Sequence, residues 1–380
     1  MIAVVLDANS IHSDPWLAGD PGKKLLDLAA AGSCVVIYPE VVIDELLRQR
    51  REAAQRAHDQ AAKGISDMGK AGIDVSQTSS DLEASFEKIG SDLDSAFQAL
   101  LDRDGVRSEP VPNVPLEDII ERDLARRRPF KEVELGQKPV SVGFRDTVIW
   151  ETVREVVDPA RGYDRVLFVT ADKGFLSDDS KSLHQDLLDD LDERGVDRSR
   201  VVSVKNVPHA NSEVEEAAAR AALVTAATNA LYELVGEDIS MQLVYGGDYD
   251  YPDFVRFGVP AMESGSISAI DQTSEFELTE AGATVTATAD ALLYIEGAVF
   301  KGDWFMDDGE SVSISGELND HYFEASSEVE VRVVVEMDTG EGSPQVLSIV
   351  LEDPLDEQAA VGGAEESAEG ASSTGDSAAG

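Results

Sequence analysis

Apolar and polar positions along the chain fall into two regimes that meet near residue 238. In the first, short unbroken apolar runs alternate with stretches of helical period. Residues 2–6 (Ile-Ala-Val-Val-Leu) form such a run and stop at Asp7, the pattern of a strand covered on both faces. Residues 22–31 have helical spacing and end at Gly32-Ser33, and 34–38 predict a second strand. Pro39 stands where a first helical turn tolerates it, and Val42, Leu46 and Leu47 then share one face of a helix running to about residue 62. Gly64, Gly69 and Gly72 interrupt, and a second amphipathic helix is expected over 80–102, so that about 40–103 forms an inserted helical hairpin. Pro110, Pro112 and Pro115 mark a loop; 116–127, 146–157 and 180–194 read as helices, 166–170 and 201–205 as a third and fourth strand. This alternation predicts a three-layer α/β/α sandwich with a short parallel sheet over residues 1–208.

Ser212 followed by Glu215 has capping-box spacing and opens a connecting helix expected over 209–238. From residue 239 the period becomes two. β-branched or alternating runs at 266–270, 275–278, 284–289, 291–300, 311–315, 328–337 and 346–351 predict an antiparallel β module over 239–352. Residues 353–380 are rich in Ala, Gly, Ser and Glu with no Lys or Arg, and are expected to be a disordered acidic tail.

Charge changes this picture. The chain carries a formal net charge of −44 over 380 residues, which repels phosphate backbones wherever it is uniform. It is not uniform: residues 240–380 hold 30 acidic and 3 basic residues, against 45 and 28 in the rest. Plain solubility and a salt-rich host cytoplasm are both compatible with such acidity. The single cysteine, Cys34, lies in an apolar run and excludes an intramolecular disulfide. No membrane span and no signal peptide are expected, so the chain reads as cytoplasmic.

The chemistry-bearing residues are carboxylates. Asp7 and Asp172 each end a predicted strand, where open α/β sheets place their functional crevice, and oxygen donors suit hard divalent cations. Five segments follow in order: Leu6-Asp7-Ala8-Asn9, Tyr38-Pro39-Glu40-Val41-Val42 leading to Asp44-Glu45-Leu46, Pro129-Phe130, Gly143-Phe144-Arg145-Asp146 leading to Ile149-Trp150, and Thr170-Ala171-Asp172-Lys173-Gly174. Together, over about residues 1–207, they resemble the PIN domain family, in particular a subgroup with a long helical insertion. The resemblance implies a site of four acids, falling on Asp7, Glu45, Asp146 and Asp172, that holds one or two Mg²⁺ or Mn²⁺ ions for hydrolysis of RNA phosphodiester bonds. It also implies supporting roles for Asn9 and Thr170.

Phosphate contacts are expected from Arg145, from Arg122, Arg126, Arg127 and Arg128 with Lys131, and from Lys173; a solvated helix face is the plainer reading of the arginine run. Trp150 and Phe144 are expected in the core, Asp44 in solvent and Glu40 at the helix dipole; a bystander is the plainer reading of Glu151, with a supporting carboxylate as the alternative. The resulting expectation is a metal-dependent endoribonuclease, a toxin or a stress or defence effector, whose β module binds a protein partner, self-associates or senses a signal. A PIN-fold binding or regulatory protein and a DNA or flap-type nuclease are the alternatives. A haloacid-dehalogenase-type phosphatase is disfavoured, because Asn9 stands where its second Asp is required.

Overall fold

Runs of aliphatic residues with no polar interruption can be buried only between two covering layers, and the structure uses the N-terminal runs in that way. The computed structural model describes residues 1–135, 138–236, 261–270, 277–281, 284–306, 312–338 and 345–352. The chain divides into two compact units, Met1–Ala218 and Ala219–Gly380.

In the first unit β1 (Ile2–Leu6) is buried throughout. It is followed by α1 (Ala8–Ile11), α2 (Asp20–Ala30), β2 (Cys34–Pro39), α3 (Glu40–Lys70), α4 (Ser76–Leu101) and β3 (Val106–Glu109). Then come α5 (Leu116–Leu124), the antiparallel hairpin β4 (Lys131–Leu135) and β5 (Lys138–Val142), α6 (Phe144–Val156), β6 (Arg165–Val169), α7 (Gln185–Glu193) and β7 (Val201–Val204). The main sheet has the order β3-β2-β1-β6-β7, and every pairing in it is parallel. The expected sandwich is therefore present, with a fifth strand. β3 is only four residues long, and its Val-Arg-Ser-Glu sequence carries little strand signal of its own; it exists because β2 offers an edge to pair with.

α3 and α4 make the expected hairpin. Val42, Leu46 and Leu47 anchor one end in the core, and Phe97 and Leu100 anchor the other. Phe97 meets Tyr38 edge-on at 5.9 Å between ring centres. Both helices are longer than expected, because Gly64 and Gly69 sit within α3 without ending it; a glycine inside a helix costs about 1 kcal/mol, which a long neighbour contact can offset. α7 is shorter than expected and begins only after His184, whose ring accepts a hydrogen bond from Asp186 N–H.

α8 (Val207–Glu233) starts earlier than the Ser212 signal suggested. Asn206 caps it by accepting from His209 N–H at 3.0 Å, and the Ser212 hydroxyl instead donates to the Pro208 carbonyl inside the helix.

The second unit is an antiparallel sheet, as expected. It comprises β8 (Ala261–Ile270), β9 (Glu277–Ala281), β10 (Thr284–Phe300), the short helix α9 (Lys301–Met306), β11 (Ser313–Glu317), β12 (Tyr322–Asp338) and β13 (Gln345–Glu352). β10 and β12 pair along their full length, from Thr284 opposite Asp338 to Phe300 opposite Tyr322. Odd positions from Ala287 to Ile295 and from Val331 to Met337 are buried on one face, the period-two signature of a one-sided sheet. The sequence suggested a break at Asp290. The strand continues because Asp290 points away from that face, onto Arg332 at 3.1 Å. The expected module's residues 239–260 and the expected tail 353–380 lie outside the described residues.

Candidate active site

β1 and β6 are neighbours, yet the chain continues from β1 toward β2 on one side and from β6 toward β7 on the other. Such a reversal leaves a crevice at the strand C-termini, and Asp7 and Asp172 follow those two ends. Asp7 N–H donates to the Val169 carbonyl at 3.0 Å, extending the β1–β6 ladder by one residue. The Thr170 hydroxyl donates to Asp7 Oδ2 at 2.8 Å and accepts from Asp172 N–H at 3.1 Å, so it holds both acids in register. Asn9, in α1, donates to Asp172 Oδ2 at 3.1 Å. Asp172 Oδ1 receives Gly174 N–H at 2.6 Å and the Lys131 ammonium at 2.9 Å.

Asp146 lies in the first turn of α6, whose position depends on Gly143. That residue has φ +130, a conformation side-chain-bearing residues rarely adopt. A Cβ there would lie 2.8 Å from Phe130 Cα and from the Pro129 carbonyl oxygen. The same carbonyl lies 3.5 Å from where a Gly174 Cβ would be. Three distant motifs, Pro129-Phe130, Gly143-Phe144-Arg145-Asp146 and Ala171-Asp172-Lys173-Gly174, thus meet at one backbone crossing. Glu45, in the second turn of α3, accepts from Gln49 at 3.0 Å and pairs with Arg145 Nη1 at 2.7 Å.

Neighbouring carboxylates act on Asp7 and Asp146. Asp7 is 2% exposed, and burial first, then the charges of Asp146 and Asp172, push its pKa up to about 7 against the partial relief of the Thr170 hydrogen bond. Burial and the neighbouring Asp172 and Glu45 push Asp146 up to about 6, with Lys131 and Arg145 acting the other way. For Asp172 burial acts upward too, but Gly174 N–H, Lys131 and Arg128 outweigh it and hold the carboxyl below its usual range. Asp7, Glu45 and Asp146 line one open cleft of about 530 Å³. Among the described residues no three acids, histidines or cysteines close into a ready-made metal-ligand group; Lys131 and Arg145 stand against Asp172 and Glu45 instead.

The arginine run is mostly structural. Arg122 is buried and makes a two-pronged pair with Asp190, at 2.6 and 3.1 Å, which corrects the expectation that it faces phosphate. Asp190 also receives Arg127 at 2.9 Å and the Trp150 indole N–H at 2.7 Å. Arg126 is paired with Asp123 and Glu132. Of the run, Arg128 lies nearest the site, donating to the Lys173 carbonyl at 3.3 Å. The Lys173 side chain is exposed beside Asp172. Glu151 pairs with Arg154 and Arg194 and does not join the acids. Asp44 is exposed, and Glu40, at the start of α3, accepts from Val111 N–H. Trp150 is in the core as expected, whereas Phe144 is not: it is 54% exposed at the mouth of the cleft. Lys131, grouped with the phosphate-binding candidates by its sequence neighbours, is the direct partner of Asp172. Only its place after Pro129-Phe130 hinted at a role.

An open parallel sheet with acidic residues at its reversal point defines an α/β/α domain with a crevice at its strand C-termini. The family comparison makes this specific: the model described as PIN domain matches residues 4–175, within the N-terminal unit, which supports a PIN-domain assignment for that unit. PIN domains are in general nucleases and typically use divalent metals. No curated protein and no solved structure matches the chain. No helix among the described residues is long and apolar enough to cross a membrane.

Proposed function

We propose that the chain is a Mg²⁺- or Mn²⁺-dependent endoribonuclease whose acidic site comprises Asp7, Glu45, Asp146 and Asp172. The observation that carries this reading is the unbalanced charge at Asp7. Its carboxyl is buried beside two further acids, with a neutral hydroxyl as its direct side-chain partner. Acids that raise one another's pKa are relieved by a cation, and an all-oxygen donor set suits a hard one. The residues therefore fit a divalent ion, held by Asp7 and Asp146 with Asp172 and Glu45 in support. Bound there, such an ion supplies an activated water and offsets charge on the phosphate. Thr170 keeps Asp7 in one rotamer, Asn9 and Lys131 fix Asp172, and Arg145 stands within reach of a phosphate at the mouth of the cleft.

The test is cleavage of single-stranded RNA and of single-stranded and flap DNA by wild type and Asp146→Asn, in Mn²⁺, Mg²⁺ and EDTA. RNA cleavage that needs the metal and disappears in the variant supports the reading; DNA-only cleavage transfers it to a DNA nuclease. The pairing of Glu45 and Asp172 with basic side chains favours a second reading, a PIN-fold binding protein with little nuclease activity, which metal-independent RNA binding without cleavage would support. A toxin or a stress or defence effector acting in the cytoplasm, with the β module contacting a protein partner or a second copy, is the biological setting we infer. The scarcity of basic residues in that module argues against its gripping RNA.

A further inference from the structure

The cleft that holds the carboxylates has a second wall of different chemistry. Besides Asp7, Glu45 and Asp146 it is lined by Leu116, Ile119 and Ile120 of α5, by Phe130 and Val142, and by Phe144. Phe144, at 54%, and Ile120, at 48%, are largely exposed. Asp123 and Ser141, hydrogen-bonded to each other, add polar groups to the same lining.

We propose that this wall is a nucleobase subsite, in which an unpaired base of the substrate strand stacks on Phe144 against Ile120 while the adjoining phosphate lies at the acids. The inference rests on the nuclease reading above and names how that site takes its substrate. Three observations carry it. Phe144 and Asp146 share the first turn of α6, so one element presents both the aromatic ring and the acid. The two walls belong to a single cleft of about 530 Å³, within the range of roughly 300–1,000 Å³ common for small-ligand sites. Finally, electrostatics leaves the protein short of other means. It carries −44 overall, and Arg122, Arg126 and Arg127 are paired with Asp190, Asp123, Glu132 and Glu193. A nuclease that recruits little through phosphate charge must draw affinity from stacking, which serves single strands of any sequence. A base already stacked in a duplex is unavailable to the wall, so the preferred substrate is single-stranded. Asp123 further favours base edges that carry amino or imino donors.

The test uses the full chain and a short single-stranded RNA with one internal 2-aminopurine, in Ca²⁺, with cleavage of the same oligomer followed separately in Mn²⁺. Binding is expected to quench the 2-aminopurine fluorescence, and Phe144→Ala to abolish the quench and weaken binding on the order of tenfold. Phe144→Trp restores both. Salt dependence of binding should be shallow, equivalent to the release of only about one to three counterions. Equal affinity for an oligomer abasic at that position, an unaltered quench in Phe144→Ala, or no binding at all would overturn the subsite. Cleavage in Mn²⁺ with no effect of Phe144→Ala removes the subsite and leaves the nuclease. Quenching and the Phe144 effect without any cleavage supports the subsite and removes the nuclease.

Discussion

Replacing Asp7 by Asn should stabilise the metal-free protein at neutral and alkaline pH, although the same change is expected to end catalysis. The folded state holds the Asp7 proton up to about pH 7, whereas the unfolded chain releases it near the ordinary 3.8. Between those values the folded state binds more protons, so stability falls as pH rises through the window. At about 1.4 kcal/mol per pH unit, the deficit above pH 7 is about 4 kcal/mol. Asn is neutral at every pH and removes it. Its side-chain oxygen can still accept from the Thr170 hydroxyl, which goes on accepting from Asp172 N–H. For a unit of this size the gain corresponds to a rise in Tm on the order of 10 °C. The assay is thermal and urea unfolding of both proteins in EDTA at pH 4, 6 and 8, followed by tryptophan fluorescence, to which Trp16 and Trp150 of the first unit and Trp304 of the second contribute. Coincident stability at pH 4 and a widening advantage for Asp7→Asn toward pH 8 is the expected result. Mn²⁺ should narrow the gap by stabilising wild type alone. A variant equal to or weaker than wild type at pH 8 would refute the claim that Asp7 is a desolvated, like-charged carboxyl.

Arg122→Met should destabilise the first unit by about 3–5 kcal/mol in urea unfolding, because Asp190 would lose its two-pronged partner inside the protein; a marginal change would mean that Arg127 and Trp150 satisfy Asp190 alone. Gly143→Ala should lower both Tm and cleavage rate, since a Cβ meets backbone at 2.8 Å and the φ of +130 is strained for Ala; normal stability with normal activity would contradict the crossing described above. Lys131→Met removes an ammonium that acts against the upward shift of Asp146 and helps hold Asp172 low, so the acidic limb of the pH–rate profile should move to higher pH, and an unmoved limb would show that Arg145, Gly174 and Arg128 suffice.

Local pattern was enough to reveal much of this protein. Unbroken apolar runs at 2–6 and 34–38 are of strand rather than helix length and match doubly covered strands, and period two beyond residue 260 matches a one-sided sheet. Asp7, Asp146 and Asp172 stood in segments whose order was informative, and folding brings them into mutual electrostatic reach. Partner choice was invisible for a physical reason: an ion pair depends on which side chains fold against one another, and the partners here are 41 to 68 residues apart in Lys131–Asp172, Arg127–Asp190 and Arg122–Asp190. Tertiary structure alone therefore turned Arg122 inward, set Lys131 on Asp172 and carried β10 through Asp290. It also drew α5 across the acids, leaving Phe144 at the mouth of the cleft, a place its helical spacing could not distinguish from the core.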